Sequence, residues 1–217
     1  MTEAIKPDRP GARSFRWVAT LRQDDRERLT IHPRARTFMA AGGAEVSLAL
    51  GFYAAFRHPE RGWYGGYLAL NLLGRPLEFH CSAPLKASRT QEILYGPTLE
   101  TYLVAEQIGK RLVENVKGSL RPALILANRP AALSLGALID PPVVYVPEES
   151  EEDVRRPEDL IGVAFRGQEA FLDATASHQR SAVESIWQRL SPSWELAEPF
   201  QRIREALEEA HRGARAA

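Results

Sequence analysis

Residues 67–83 constrain the fold more tightly than any other stretch of this chain. Two apolar runs, Tyr67–Leu72 and Leu77–Ala83, flank Gly74-Arg75. Read as the central pair of a type II′ turn, with glycine first, Gly74-Arg75 fixes a hairpin register. Leu72 then faces Leu77, Leu70 faces Phe79 and Leu68 faces Cys81 on one side. Asn71 faces Glu78, Ala69 faces His80 and Tyr67 faces Ser82 on the other. The register sorts apolar from polar side chains, and a slip of one residue would undo the sorting. Pro76 opens its strand, where a missing N–H is tolerated.

The flanking segments extend this ribbon. Val46, Leu48, Leu50 and Phe52 alternate with Ser47, Ala49, Gly51 and Tyr53, a period-two pattern that argues for a strand over Ala44–Arg57, with a helix the alternative its alanines leave open, and the chain turns at His58–Gly62. Ser88 followed by Gln91 forms a capping box, with Gly96 as the stop. Pro97 then opens a longer helix to about Lys117, whose apolar arc holds Leu99, Leu103, Ile108, Leu112 and Val116. Short strands are expected at Ala123–Ala127 and Val143–Val146, with a helix over Pro130–Leu138 between them. Ile161–Phe165 adds a strand, and Glu169–Leu190 and Glu198–Arg212 read as helices.

Together these segments predict an α+β fold: a small antiparallel sheet from about 45–83, covered by an amphipathic helix, with a helical C-terminal part packed alongside. The strands near 123 and 143 extend that sheet. Along the chain this gives a disordered arm (1–14), a core domain (15–147), an acidic linker (148–159) and a mainly helical segment (160–217). The chain of 217 residues is 44% hydrophobic, enough for one sizeable core.

Charge and cysteine usage narrow the function classes. With 28 basic and 28 acidic residues the formal net charge is zero, which gives no global pull toward nucleic acid or acidic lipid. The arginines between Arg9 and Arg36 are an electrostatic exception, interleaved with Asp24, Asp25 and Glu27, so nucleic-acid binding there ranks as a weaker reading. No apolar run reaches the roughly 18 residues of a membrane span. A single cysteine, Cys81, forms no internal disulfide and fits a cytoplasmic setting.

Local catalytic signatures are missing. Neither Gly42-Gly43 nor Gly65-Gly66 carries the lysine and hydroxyl residue of a phosphate loop. No G-x-S-x-G elbow, H-E-x-x-H helix or dinucleotide fingerprint occurs, and no metal or cofactor is expected. The predicted hairpin gathers a candidate catalytic set, His80 with Glu78 beside it, because a histidine next to a carboxylate can serve as a general base. Glu106, a carboxylate inside the apolar arc of the long helix, is the third candidate. Asn71 and Tyr67 on the His80 face, and Arg89, Gln91 and Tyr95 around the capped helix start, are candidate binding residues. The competing plain readings are a wet strand face for His80, an edge position for Glu106 and a self-satisfied cap for Arg89–Tyr95. Cys81 alternates to the leucine face and reads as a buried structural thiol.

The sequence is thus read first as a non-enzymatic protein-interaction or regulatory module. A protein partner or homo-oligomer is open, and neither membrane nor nucleic acid is favoured. The alternative is a small hydrolase-type enzyme using His80 with Glu78.

Overall fold

The computed structural model describes residues 17–20, 30–33, 48–116, 120–148 and 159–216. The predicted arm (1–14), most of the arginine-rich entry and the acidic run from 149 to 158 lie outside them. A two-stranded antiparallel ribbon, β1 (Trp17–Thr20) and β2 (Thr30–Pro33), comes first. The centre of the molecule is a seven-stranded sheet of β3 (Ala49–His58), β4 (Gly62–Asn71), β5 (Pro76–Cys81), β6 (Pro122–Ala127), β7 (Val143–Tyr145), β8 (Leu160–Gly162) and β9 (Phe171–Asp173). Its order is β5-β4-β3-β6-β7-β9-β8. β3, β4 and β5 form an antiparallel meander, whereas β6 joins β3 and β7 joins β6 in parallel.

This mixed, open α/β sheet replaces the expected small antiparallel one. The strands near 123 and 143 do extend the sheet, but as parallel strands reached by crossovers over one face. A parallel strand needs cover on both sides, and both faces are covered. On one face Tyr53, Tyr67, Ala69, Ile125 and Tyr145 pack under the helices between β5 and β7. On the other, Leu50, Phe52, Leu68, Leu70, Leu124 and Leu126 pack under the C-terminal helices.

The first helical layer starts with α1 (Arg89–Tyr95), which carries the capping box foreseen from Ser88 and Gln91. A short 3₁₀ turn leads to α2 (Leu99–Thr101), a π-helix (Tyr102–Gly109) and α3 (Lys110–Glu114) in one continuous run. The π geometry has a visible partner: the buried Tyr53 hydroxyl donates to the Val104 carbonyl at 2.6 Å. Burial holds that phenol well above its ordinary pKa, so it remains a neutral donor. A 3₁₀ helix (Pro130–Ala137) completes this layer.

The second layer is α4 (Arg180–Trp187) and α5 (Glu198–Ala216). The single helix expected over Glu169–Leu190 is instead strand β9, a 3₁₀ turn and α4. Asp173 breaks it: its side chain accepts from Thr175 N at 2.9 Å and caps the turn, while Phe171–Asp173 pair with β8. No described helix is long and apolar enough to cross a membrane.

The β4–β5 register also departs from expectation. Tyr67 pairs with His80, Leu68 with Phe79 and Ala69 with Glu78, two residues from the predicted alignment. An even shift keeps Tyr67, Ala69, Glu78 and His80 on one face and Leu68, Phe79 and Cys81 on the other, as predicted, whereas a bulge between Ala69 and Leu70 turns Leu77 toward the Tyr67 side. The shift arises at the turn, where Asn71 Oδ1 accepts from both Leu73 N and Arg75 N at 3.0 Å, building a longer loop than two residues. Gly74, at φ +73, supplies the left-handed residue that loop requires.

Close approach of α5 rests on Gly66, where an added Cβ would sit 2.6 Å from Ile203 Cγ2. Gly66→Ala is therefore expected to destabilise by about 1–3 kcal/mol, read as a lower urea midpoint at unchanged m-value. Gly162→Ala, with open space around the new methyl, should leave the midpoint nearly unmoved.

Candidate functional site

Two polar clusters interrupt the apolar layers. The first was half anticipated. Glu78 and His80 on β5 share a face with Tyr67 on β4, but that face is not wet: Glu78 is 4% and His80 1% exposed. The helices over this face exclude water, which a strand pattern alone does not reveal. His80 Nε2 lies 3.1 Å from Glu78 Oε1, a close acid–imidazole pair in an apolar setting. The Tyr67 hydroxyl, buried against Gly51, has its pKa raised by desolvation first and by the Glu78 charge second. Cys81 alternates to the opposite core, and burial pushes its thiol up to about 12. That is the environment of an inert structural thiol.

The remaining sequence candidates do not join this cluster. Glu106 projects from the π-helix as an exposed side chain. It adds a minor upward push to the pKa of Tyr95, whose main cause is a hydrogen bond with Tyr102. Tyr95 and Tyr102 stack with ring centroids 4.1 Å apart. Asn71 shapes the β4–β5 turn, Gln91 accepts from Ser88 N, and Arg89 pairs with Glu92 at 3.0 Å. These polar groups serve local backbone and helix contacts. Of the eight candidates, the fold brings together Tyr67, Glu78 and His80.

The second cluster was not anticipated. β3, β6 and β7 run parallel, and strand order reverses between β3 and β6, so their shared carboxyl edge is where an α/β sheet opens a crevice. β6 is followed directly by Asn128, which is fully buried. Its backbone N donates to the Tyr53 carbonyl at 3.3 Å, and its side-chain Oδ1 accepts from Ala55 N at 2.9 Å. Its Nδ2 donates to Glu148 Oε1 at 2.7 Å, and Glu148 Oε2 accepts from the Arg204 guanidinium of α5 at 3.0 Å. That guanidinium lies 4.2 Å from the centre of the Phe56 ring. Arg129, next to Asn128, donates to the Ala55 carbonyl at 3.3 Å and sits 5.6 Å from the Trp63 ring centre. Two arginines, each over an aromatic face, thus stand at one end of the sheet, Arg129 on the Trp63 face and Arg204 on the Phe56 face.

Sequence held part of this signal. An apolar strand that stops abruptly at Asn128-Arg129 marks a polar carboxyl end. Arg204 was hidden, because only tertiary folding brings α5 to that edge.

No family model matches this chain, and no curated protein matches it in sequence. Solved structures do. Human endonuclease V superposes with a TM-score of 0.51 over 80% of this chain and 87% of that one, at 13% identity. The fold is similar to that of an endonuclease. The structure of Ciona intestinalis endonuclease V in complex with a 24mer DNA containing an inosine followed by a ribo-adenosine gives a TM-score of 0.49 at 12% identity, covering 77% and 87% of the two chains.

These findings overturn two expectations. The reading as a non-enzymatic protein-interaction or regulatory module rested on missing local motifs, and a scaffold shared with an endonuclease removes that ground. Setting nucleic acid aside as a partner rested on zero net charge and on the acids interleaved with the entry arginines, and a fold similar to that of a protein named an endonuclease removes that preference.

Hydrolysis of phosphodiesters by the two-cation route needs carboxylates converging on ions about 3.5–4 Å apart. The described donor set at the carboxyl edge does not fit that requirement. Glu148 is committed to an amide and a guanidinium, and its neighbours there are Asn128, Arg129 and Arg204. Among the described residues no group of three or more His, Cys, Asp and Glu side chains gathers to hold a metal.

Replacing Glu78 or His80 singly with leucine should cost about 3–5 kcal/mol, because each change strands a buried polar partner. The double substitution should cost clearly less than the sum of the two. Urea titrations of the four proteins check this, and strict additivity would show that the pair is not coupled.

Proposed function

We propose that this chain acts on nucleic acid, holding the sugar-phosphate backbone at the carboxyl edge of β3, β6 and β7. The observation that carries the reading is that two guanidinium groups stand at that edge, Arg129 over Trp63 on one face of the sheet and Arg204 over Phe56 on the other. Guanidinium groups match phosphate geometry and keep their charge at any physiological pH. Phosphate contacts position a protein on nucleic acid without reading sequence. The scaffold adds support, since the superposed human protein is an endonuclease by name. The arginine-rich stretch from Arg9 to Arg36 would add sequence-independent attraction. A buried Cys81 thiol and the absence of a second cysteine suit a reducing cytoplasm.

The test is fluorescence anisotropy with labelled single-stranded and duplex DNA and RNA of roughly 16–20 nucleotides. Affinity should fall by about tenfold or more between roughly 50 and 200 mM salt, as counterion release requires. Arg129→Ala should weaken binding to all sequences alike. An absence of binding at the lower salt concentration would end the proposal.

A further inference from the structure

Glu148 stands in the way of the contact just proposed. One of its carboxylate oxygens is held by the Asn128 amide at 2.7 Å and the other takes the Arg204 guanidinium at 3.0 Å. Carboxylate and phosphate oxygens compete for the same guanidinium donors. The pair is asymmetric in reach: the Arg204 side chain is 35% exposed and the Glu148 side chain 11%. An arriving anion therefore meets the cation of the pair first. Arg204 has five N–H donors and no acceptor, so it can change its oxygen partner while its plane stays on Phe56.

Resting on the nucleic-acid reading, we infer that Glu148 occupies the place of a backbone phosphate at Arg204, and that phosphate displaces it there without a divalent cation. A carboxylate that recruited a cation would gain from an open oxygen and an acidic neighbour. Glu148 has a guanidinium on one oxygen and an amide donor on the other, both of which favour anionic oxygen and oppose a metal ion. Charge at this edge is thus arranged to be exchanged between two anions, one resident and one arriving.

The two roles for Glu148 predict opposite signs. As a resident competitor, its neutralisation by Glu148→Gln releases Arg204, and affinity for a labelled single strand rises about tenfold, one charge-assisted hydrogen bond's worth. Glu148→Ala shifts affinity in the same direction, and Arg204→Ala cancels the gain in the double variant. Wild-type binding is unchanged when magnesium is replaced by EDTA. Weaker binding by both Glu148 variants, or wild-type binding lost in EDTA, would overturn the inference and make Glu148 a cation ligand. Wild-type protein that binds no strand with or without magnesium would instead sink the nucleic-acid reading itself. Urea unfolding of each variant confirms that the compared proteins are folded.

Discussion

The parallel pairing of β3 with β6 is the join on which the molecule depends. It unites an antiparallel meander with the parallel half of the sheet, and its last rungs are supplied by a side chain. Beyond Ala127 the ladder continues because Asn128 offers its amide oxygen to Ala55 N, standing in for the carbonyl a longer strand would have provided. An unpaired backbone donor at that depth would carry a full desolvation cost. The same amide turns its other end to Glu148, so one buried residue both finishes the sheet and begins the polar edge. Arg129 and Arg204 take their positions relative to that finished ladder.

A second consequence of the central strand runs in the opposite direction, into the helix layer. Tyr53 sits midway along β3, and its hydroxyl bonds a carbonyl within the π-helical turn. Helices with π geometry have carbonyls displaced from the usual ladder, and here one such carbonyl has a neutral donor waiting for it. The ring of Tyr53 also lies directly beneath Gly109, so the helix rests on the sheet at a small residue rather than on a methyl or larger group. The sheet therefore dictates the irregularity of the helix that covers it.

Local structure was legible wherever a few adjacent residues determine it. The Ser88–Gln91 cap, the turn at His58–Gly62 and the opposite facing of His80 and Cys81 all follow from short-range chemistry. Sheet architecture was not, because it depends on Leu124 pairing with Leu50, 74 residues away, and on Val144 pairing with Leu126 across an intervening helix, and an apolar run carries no mark of its partner. The misreading of the Glu78–His80 face has the same origin. Its residues are polar, so it looked solvated, yet Leu103, Val104 and Ile108 close over that side of the sheet. The carboxyl-edge cluster was least legible of all: Asn128, Glu148 and Arg204 are ordinary surface residue types, and their meaning arises from convergence.

The loop between β4 and β5 is clamped to the C-terminal region by donors that address only its carbonyls. The Trp194 indole donates to Leu72 O at 2.8 Å and the Arg202 guanidinium to Gly74 O at 2.9 Å. Every residue type carries a carbonyl, so these clamps specify a backbone trace and leave side-chain identity free. Leu73, 77% exposed at the tip, is consequently under no packing demand. Position 73 can drift in composition, or accept a spectroscopic probe, while Asn71 and Gly74 keep the trace of the loop and the anchoring of the C-terminal layer to the sheet stays as it is.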